Sequence, residues 1–175
     1  YKGHAVAAIA AVDRYVADYA ASKVKVEYEV LESVTNVEDA TKENAPILLE
    51  DLVGDHIGEK VSNTNIASVT RHEFGNPDKA FEEAENVVEK TFTLQMVHQG
   101  YIEPHNATAH WDEDDRIKVW TSTQGAFPVR TSTAAILDMD VSRIKVTPLE
   151  IGGGFGGKIP VYLEPVVSIL SKKSG

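Results

Sequence analysis

Seven residues near the end of the chain, Gly152-Gly153-Gly154-Phe155-Gly156-Gly157-Lys158, restrict the possible folds more than any other stretch. The stretch Ile144 to Ile151 reads as a strand that feeds them, and the pattern Val161 to Lys173, closed by Gly175, leaves them as a helix. Five glycines permit positive φ and leave the backbone amides unshielded by side chains. Successive exposed N–H groups form an anion-binding concavity, reinforced by the positive end of the following helix. The loop is therefore suited to approach a phosphate or oxo group at backbone distance. The plain alternative is a glycine-rich turn that serves tight packing alone.

Two general motifs share the spacing. Gly152, Gly157 and Lys158 match the phosphate-loop pattern, but its next position must be Ser or Thr to hold magnesium, and here stand Ile159 and Pro160. Gly152, Gly154 and Gly157 match the dinucleotide fingerprint, whose acidic ribose partner belongs about 20 residues further on. Only Ser171 to Gly175 stand there. Both nucleotide readings thus lack a working part. Lys158 is open to a phosphate-holding role or to a solvated or carbonyl-bonding one.

Along the rest of the chain, Ala5 to Val12 is a short apolar run compatible with a strand or a helix start. Asp13 caps a helix reaching Ser22, and Val24, Val26, Tyr28 and Val30 alternate with charged residues as in a half-buried strand. Asn36 to Ala45 reads as a short acidic helix or turn. Pro46 to Asn76 is a connector with short strands such as Ile66 to Glu73. Asn76-Pro77-Asp78 starts a helix. Strands are expected over Val88 to Gln95, Thr108 to Trp111 and Ile117 to Ser122, the last two joined by the acidic turn Asp112 to Asp115, and a helix over Pro128 to Leu137.

The heptapeptide at 152–158 resembles the signature of the molybdenum-binding subunit of the xanthine dehydrogenase, aldehyde oxidase and carbon monoxide dehydrogenase family. Tyr101-Ile102-Glu103-Pro104-His105 is similar to its Glu-Pro segment, Trp120-Thr121-Ser122-Thr123-Gln124 to its Ser-Thr-Gln strand end, and Tyr162-Leu163-Glu164-Pro165 to its helix opening. Order and spacing agree across all four, and Ala5 to Glu29 resembles the later part of the family's α/β hammerhead domain. The resemblance implies an α+β chain that is a piece of a longer subunit: a partial hammerhead domain at 1–50, a connector at 51–75 and the first part of the cofactor domain at 76–175.

It further implies hydroxylation of a carbon centre in an aldehyde, N-heterocycle or aromatic substrate, with water as oxygen source. The cofactor it implies is a molybdenum–pyranopterin, either molybdopterin itself or its cytosine dinucleotide. Gly153, Gly154, Gly157 and Gln124 would surround the pterin, and the Phe155 and Gly156 backbone would line the metal. The family's catalytic glutamate is absent here, so no catalytic residue is assigned and these residues alone are expected to be inactive. Purine-oxidising members carry a glutamate where Ile159 stands, which argues against a purine substrate. Those members also place a glutamine at the position of Val97, whereas this chain has Gln99 two residues later.

The resemblance also implies iron–sulfur clusters and FAD as electron acceptors, expected on other subunits or segments, and the absence of cysteine from the 175 residues excludes cysteine-ligated clusters within them. A net charge of −10 disfavours nucleic acid and anionic membrane. No apolar run reaches the roughly 18 residues of a bilayer span, and Tyr1-Lys2-Gly3-His4 has no signal-peptide design and reads like an entry into the middle of a longer sequence. The absence of cysteine fits a reducing cytosol, and a cytoplasmic location is expected. His98, His105 and His110 lack regular spacing and read as hydrogen-bonded or exposed histidines, and Glu103 as a partner to backbone amides. Two rival readings are a cofactor-free assembly module and a nucleotide-binding domain.

Overall fold

The computed structural model describes residues 3–175, so the reading of Tyr1 and Lys2 lies outside the described residues. In chain order the elements are α1 (Arg14–Ala21), α2 (Val37–Ala40), β1 (Gly54–His56), β2 (Glu59–Val61), β3 (Ser68–Val69), α3 (Pro77–Glu83), β4 (Ala107–Trp111), β5 (Ile117–Thr121), α4 (Ala126–Ile136), β6 (Ile144–Pro148) and α5 (Glu164–Ser174). The class is α+β. The chain divides into two compact units, residues 1–26 with 94–175, and residues 27–93.

The first unit is organised by a sheet of order β4-β5-β6. β4 and β5 form an antiparallel hairpin, and β5 runs parallel to β6 through the α4 crossover. The sequence Ile117-Lys118-Val119-Trp120-Thr121 alternates as a strand with one buried face must. Ile117, Val119 and Thr121 are buried, Lys118 is exposed, and Trp120 is half-buried. Ile117, Val119, Ala134 and Ile144 make the core, with Ala109, Trp111, Leu137, Met139 and Val146 packed around it. α4 lies on β6 and α5 on β4, and the two helices touch each other. The Ser171 hydroxyl accepts the Trp111 N–H at 3.0 Å, fastening α5 to the sheet.

The 27–93 unit carries a small sheet of order β2-β1-β3. Its connections are polar. The Asn65 side chain donates to the Ala40 and Pro46 carbonyls, both at 2.9 Å, and accepts the Leu48 N–H at 2.9 Å. Asn76 caps α3 by accepting the Lys79 N–H, with Pro77 following as the pattern required.

Several sequence expectations need correction. Val24 to Val30 and Val88 to Gln95 are not strands, and Ala5 to Val12 is neither strand nor helix. Alternation signals a face to be buried, but a strand also needs a ladder partner, and none is present among the described residues. Val30 is accordingly 91% exposed. The expected strand–helix–strand start therefore reduces to α1 alone, capped by Asp13. The strand expected over Ile66 to Glu73 shrinks to Ser68–Val69. α4 starts two residues before Pro128, which still falls in its first turn, where no intrahelical donor is lost. β6 stops at Pro148 rather than at Ile151, with one further bond from the Leu149 N–H to the Thr121 carbonyl at 3.0 Å. α5 starts at Glu164 rather than Val161, with Pro165 in its first turn.

Candidate functional site

Strand register decides which residues meet. Ala107 stands opposite Thr121, and Thr121 opposite Pro148. Residues 101–106 entering β4, 122–125 leaving β5 and 149–158 leaving β6 therefore emerge at one end of the sheet. That end holds the carboxyl termini of two adjacent parallel strands, a position that open sheets commonly use for ligands.

One carboxylate gathers the three segments. Glu103 Oε2 accepts from the Gly152 N–H at 2.7 Å, the Ser122 hydroxyl at 2.8 Å and Lys158 Nζ at 2.6 Å. Its Oε1 accepts from Asn106 Nδ2 at 3.1 Å. The Lys158 ammonium beside it, then the Gly152 amide and the Ser122 hydroxyl, hold this carboxyl down at about 2. The Lys158 side chain is 0% exposed. Its ammonium also donates to Ser122 Oγ at 3.0 Å and lies 4.9 Å from the centroid of the Tyr101 ring.

Gln124 performs a second fastening. Its Oε1 accepts the N–H groups of Gly156 at 3.1 Å and Lys158 at 3.2 Å, while its own N–H donates to the Lys158 carbonyl at 2.9 Å. The Thr123 hydroxyl donates to that carbonyl at 3.0 Å. Buried Glu164 closes the arrangement. It accepts from the Thr121 hydroxyl at 2.7 Å and the Tyr162 N–H at 3.0 Å, pinning the start of α5 to the end of β5.

Close approach requires glycine at positions 152, 154 and 157. A Cβ on Gly152 would stand 2.7 Å from Glu103 Cβ, and one on Gly154 would stand 2.5 Å from Gln124 Oε1. On Gly157 it would meet Tyr101 Cε1 at 2.8 Å and Gln99 Cδ at 2.9 Å. Phe155 itself takes a φ of 50° and is 73% exposed, an unusual backbone for a bulky residue. Of the loop amides, Gly152 donates to Glu103, Gly156 and Lys158 to Gln124, and Gly157 to the Gly154 carbonyl. Among the described residues, no protein acceptor stands opposite the N–H groups of Gly153, Gly154 and Phe155. Three successive unpaired amides between two fastened ends suit an anionic, oxygen-rich group.

The four motifs thus converge in one hydrogen-bonded cluster, with Gln124 against the 153–157 loop. Lys158 differs from its expected roles. Its ammonium points beneath the loop to Glu103, so it is neither solvated nor placed to hold a phosphate, and a nucleotide site would lack the cation it needs. Glu103 bonds a backbone amide as expected, and also serves as counter-ion to the lysine. His105 shares a 2.6 Å hydrogen bond with the Tyr101 hydroxyl and packs on Tyr162 at 4.7 Å. Val97 is exposed, whereas the Gln99 carboxamide lies against Gly157. Ser122, Asn106 and Tyr101 had no role assigned from sequence. Ser122 and Tyr101 stand inside the Ser-Thr-Gln and Tyr-x-Glu-Pro-His segments, and Asn106 directly follows the latter.

A family model described as the molybdopterin cofactor-binding domain matches residues 57–175. The chain belongs to that family. It is 29% identical over 169 residues to the nicotinate dehydrogenase large molybdopterin subunit of Eubacterium barkeri, covering 97% of this chain and 37% of the relative. It is 30% identical to the carbon monoxide dehydrogenase large chain of Afipia carboxidovorans, over 98% of this chain and 22% of that one. The chain thus spans only 22% to 37% of the length of these curated relatives. Among solved structures, a Cu,Mo-CO dehydrogenase in its carbon monoxide reduced state superposes with a TM-score of 0.73. That match has 30% identity and covers 93% of this chain and 21% of the other. No helix among the described residues is long and apolar enough to cross a membrane.

Proposed function

We propose that this chain is part of the large subunit of a molybdenum hydroxylase of the xanthine dehydrogenase and aldehyde oxidase type. It would comprise the end of a hammerhead domain (1–50), a connector (51–75) and the first part of the cofactor domain (76–175). The observation that carries this reading is the arc of three unpaired amides, Gly153 to Phe155, fastened at the carboxyl ends of parallel β5 and β6. Gly153, Gly154, Gly157 and Gln124 would hold a molybdenum–pyranopterin, as molybdopterin or its cytosine dinucleotide, with the Phe155 and Gly156 backbone nearest the metal. When bound, that group supplies two-electron oxidation of a carbon centre with oxygen taken from water.

The chain's own residues bind and orient. Gln124 fixes Gly156 and Lys158, Glu103 fixes Gly152, and close packing against Tyr101 and Gln99 leaves Gly157 no room for a side chain. No residue here is assigned as general base, so these residues alone should be inactive. The substrate class is an aldehyde, an N-heterocycle or another aromatic compound, and the aliphatic Ile159 beside the loop disfavours a purine. Electrons would pass to iron–sulfur and flavin partners, since the chain has no thiolate to hold a cluster. We place the assembly in the cytoplasm.

The deciding measurement is molybdenum by plasma mass spectrometry, together with pterin fluorescence, on the full-length product of the gene. Near-stoichiometric metal with a pterin signal is expected. Absence of both, in a host that fills other molybdoenzymes, would sink the reading and favour a cofactor-free assembly module. Tight ATP or NAD binding by calorimetry would instead favour a nucleotide site.

A further inference from the structure

Burying a lysine ammonium is costly unless a counter-ion and hydrogen bonds compensate it, and an apolar side chain of similar volume would fill the same space without that cost. Lys158 is nevertheless completely buried, and its counter-ion lies 55 residues away in sequence. A single oxygen, Glu103 Oε2, accepts from the first residue of the glycine heptapeptide through the Gly152 N–H and from the last through Lys158 Nζ. The two ends of the loop are therefore joined through one atom. Ser122 Oγ bridges the pair by donating to Glu103 and accepting from Lys158. Gln124 adds a second fastening toward the exit of the loop. Between these points lie the unpaired amides of Gly153, Gly154 and Phe155 and two residues of strongly positive φ, Gly153 at 95° and Phe155 at 50°.

We propose that Glu103 and Lys158 are positioning residues that clasp the two ends of the glycine loop, holding its amide arc in the conformation that receives the cofactor. The cofactor half of this inference rests on the functional reading above; the clasp itself does not. The two partners are unequal. Without the Glu103 charge, the buried Lys158 ammonium loses its counter-ion and keeps neutral partners such as Ser122 Oγ and the Tyr101 ring. Without the Lys158 charge, Glu103 remains partly exposed and keeps the Gly152, Ser122 and Asn106 donors. Glu103→Gln should therefore open the loop more than Lys158→Met. Glu103→Gln combined with Lys158→Met should open it less than Glu103→Gln alone, because no buried charge is left unpaired.

The test is amide hydrogen exchange at Gly152, Gly156, Gly157 and Lys158 in the intact full-length protein, in cofactor-loaded and cofactor-free form, alongside molybdenum per protein. Glu103→Gln is expected to speed exchange at these amides by about tenfold or more. Its molybdenum content should fall, with the exchange of core strands β5 and β6 unchanged. Should Glu103→Gln fail to fold, the order of Lys158→Met and the double variant against wild type still reads the clasp. Loop exchange within about twofold of wild type would overturn the clasp. A loop that opens while molybdenum content stays the same would overturn its role toward the cofactor. Lack of molybdenum and pterin in the wild type would count against the functional reading alone, leaving the exchange result to judge the clasp.

Discussion

Residues 94–175 and residues 27–93 are organised by different physics. In the former, Ile117, Val119 and Ile144 are withdrawn from water beneath two helices, and the polar cluster stands on that foundation. In the latter, only Gly54 is buried among the described residues, while Leu49, Phe74 and Phe81 lie exposed, and the Asn65 side chain links three stretches of backbone. Three strands suffice for a core where strand faces and helix faces are both apolar. Where strands are two or three residues long, directional hydrogen bonds have to define the path of the chain instead.

The contrast can be pressed hardest by truncating apolar side chains in both regions. Ile117→Ala should lower unfolding stability by about 2–5 kcal/mol, whereas Leu49→Ala should change it by about 0.5 kcal/mol or less. Denaturant melts followed by regional hydrogen exchange would separate the two, and equal losses would erase the distinction. Removing a hydrogen-bonding side chain probes the other side: Asn65→Ala should loosen the 40–65 stretch by about 1–3 kcal/mol, read by limited proteolysis, without altering exchange in β5.

Glycine substitutions sharpen the comparison differently. An alanine at Gly154 would place its Cβ on the Gln124 carboxamide, and molybdenum content should fall about tenfold, equivalent to roughly 1.4 kcal/mol. At Gly58 there is open space but a φ of 87°, so Gly58→Ala should cost roughly 1–2 kcal/mol of local strain and leave metal content unchanged. A further expected effect concerns acid. Glu103 is held at about 2 against an ordinary value of 4.5, facing the Lys158 ammonium. The folded form therefore binds this proton less readily than the unfolded one. The resulting stabilisation is complete above about 4.5 and is lost as pH falls through about 2. Acid melts of Glu103→Gln should lack that component, and an unchanged acid limb would count against the ion pair.

Local signals in the sequence were legible wherever the partner was close at hand. Asp13 and Asn76 announced helix starts, and the Asp112–Asp115 turn between two alternating segments announced the β4–β5 hairpin. Val24 to Val30 alternates just as well, yet no strand pairs with it among the described residues, and alternation says nothing about partners. At the site, the four motifs could be picked out along the chain because each is compact. That Lys158 turns inward could not, because its carboxylate partner lies at Glu103 and only the β4–β5–β6 register brings the two within 2.6 Å. The close approach of Gln99 to Gly157 was equally hidden, because it follows from where residues 99–101 run before β4 begins.

The registered sheet also gives this unit two poles of unequal tolerance. At one pole, Ala107, Thr121 and Pro148 stand side by side and feed every segment of the glycine-loop cluster. Adding or deleting one residue there would swap inward and outward side chains and dismantle the cluster in a single step. At the other pole, β4 and β5 are joined by the turn Asp112 to Arg116, where Glu113 and Asp114 are exposed and Asp115 reaches outside the hairpin to Lys172 at 3.5 Å and Arg143 at 3.9 Å. Natural variation in length should accumulate at that turn, and so should any tag or reporter inserted by an experimenter who wants the loop-bearing end undisturbed.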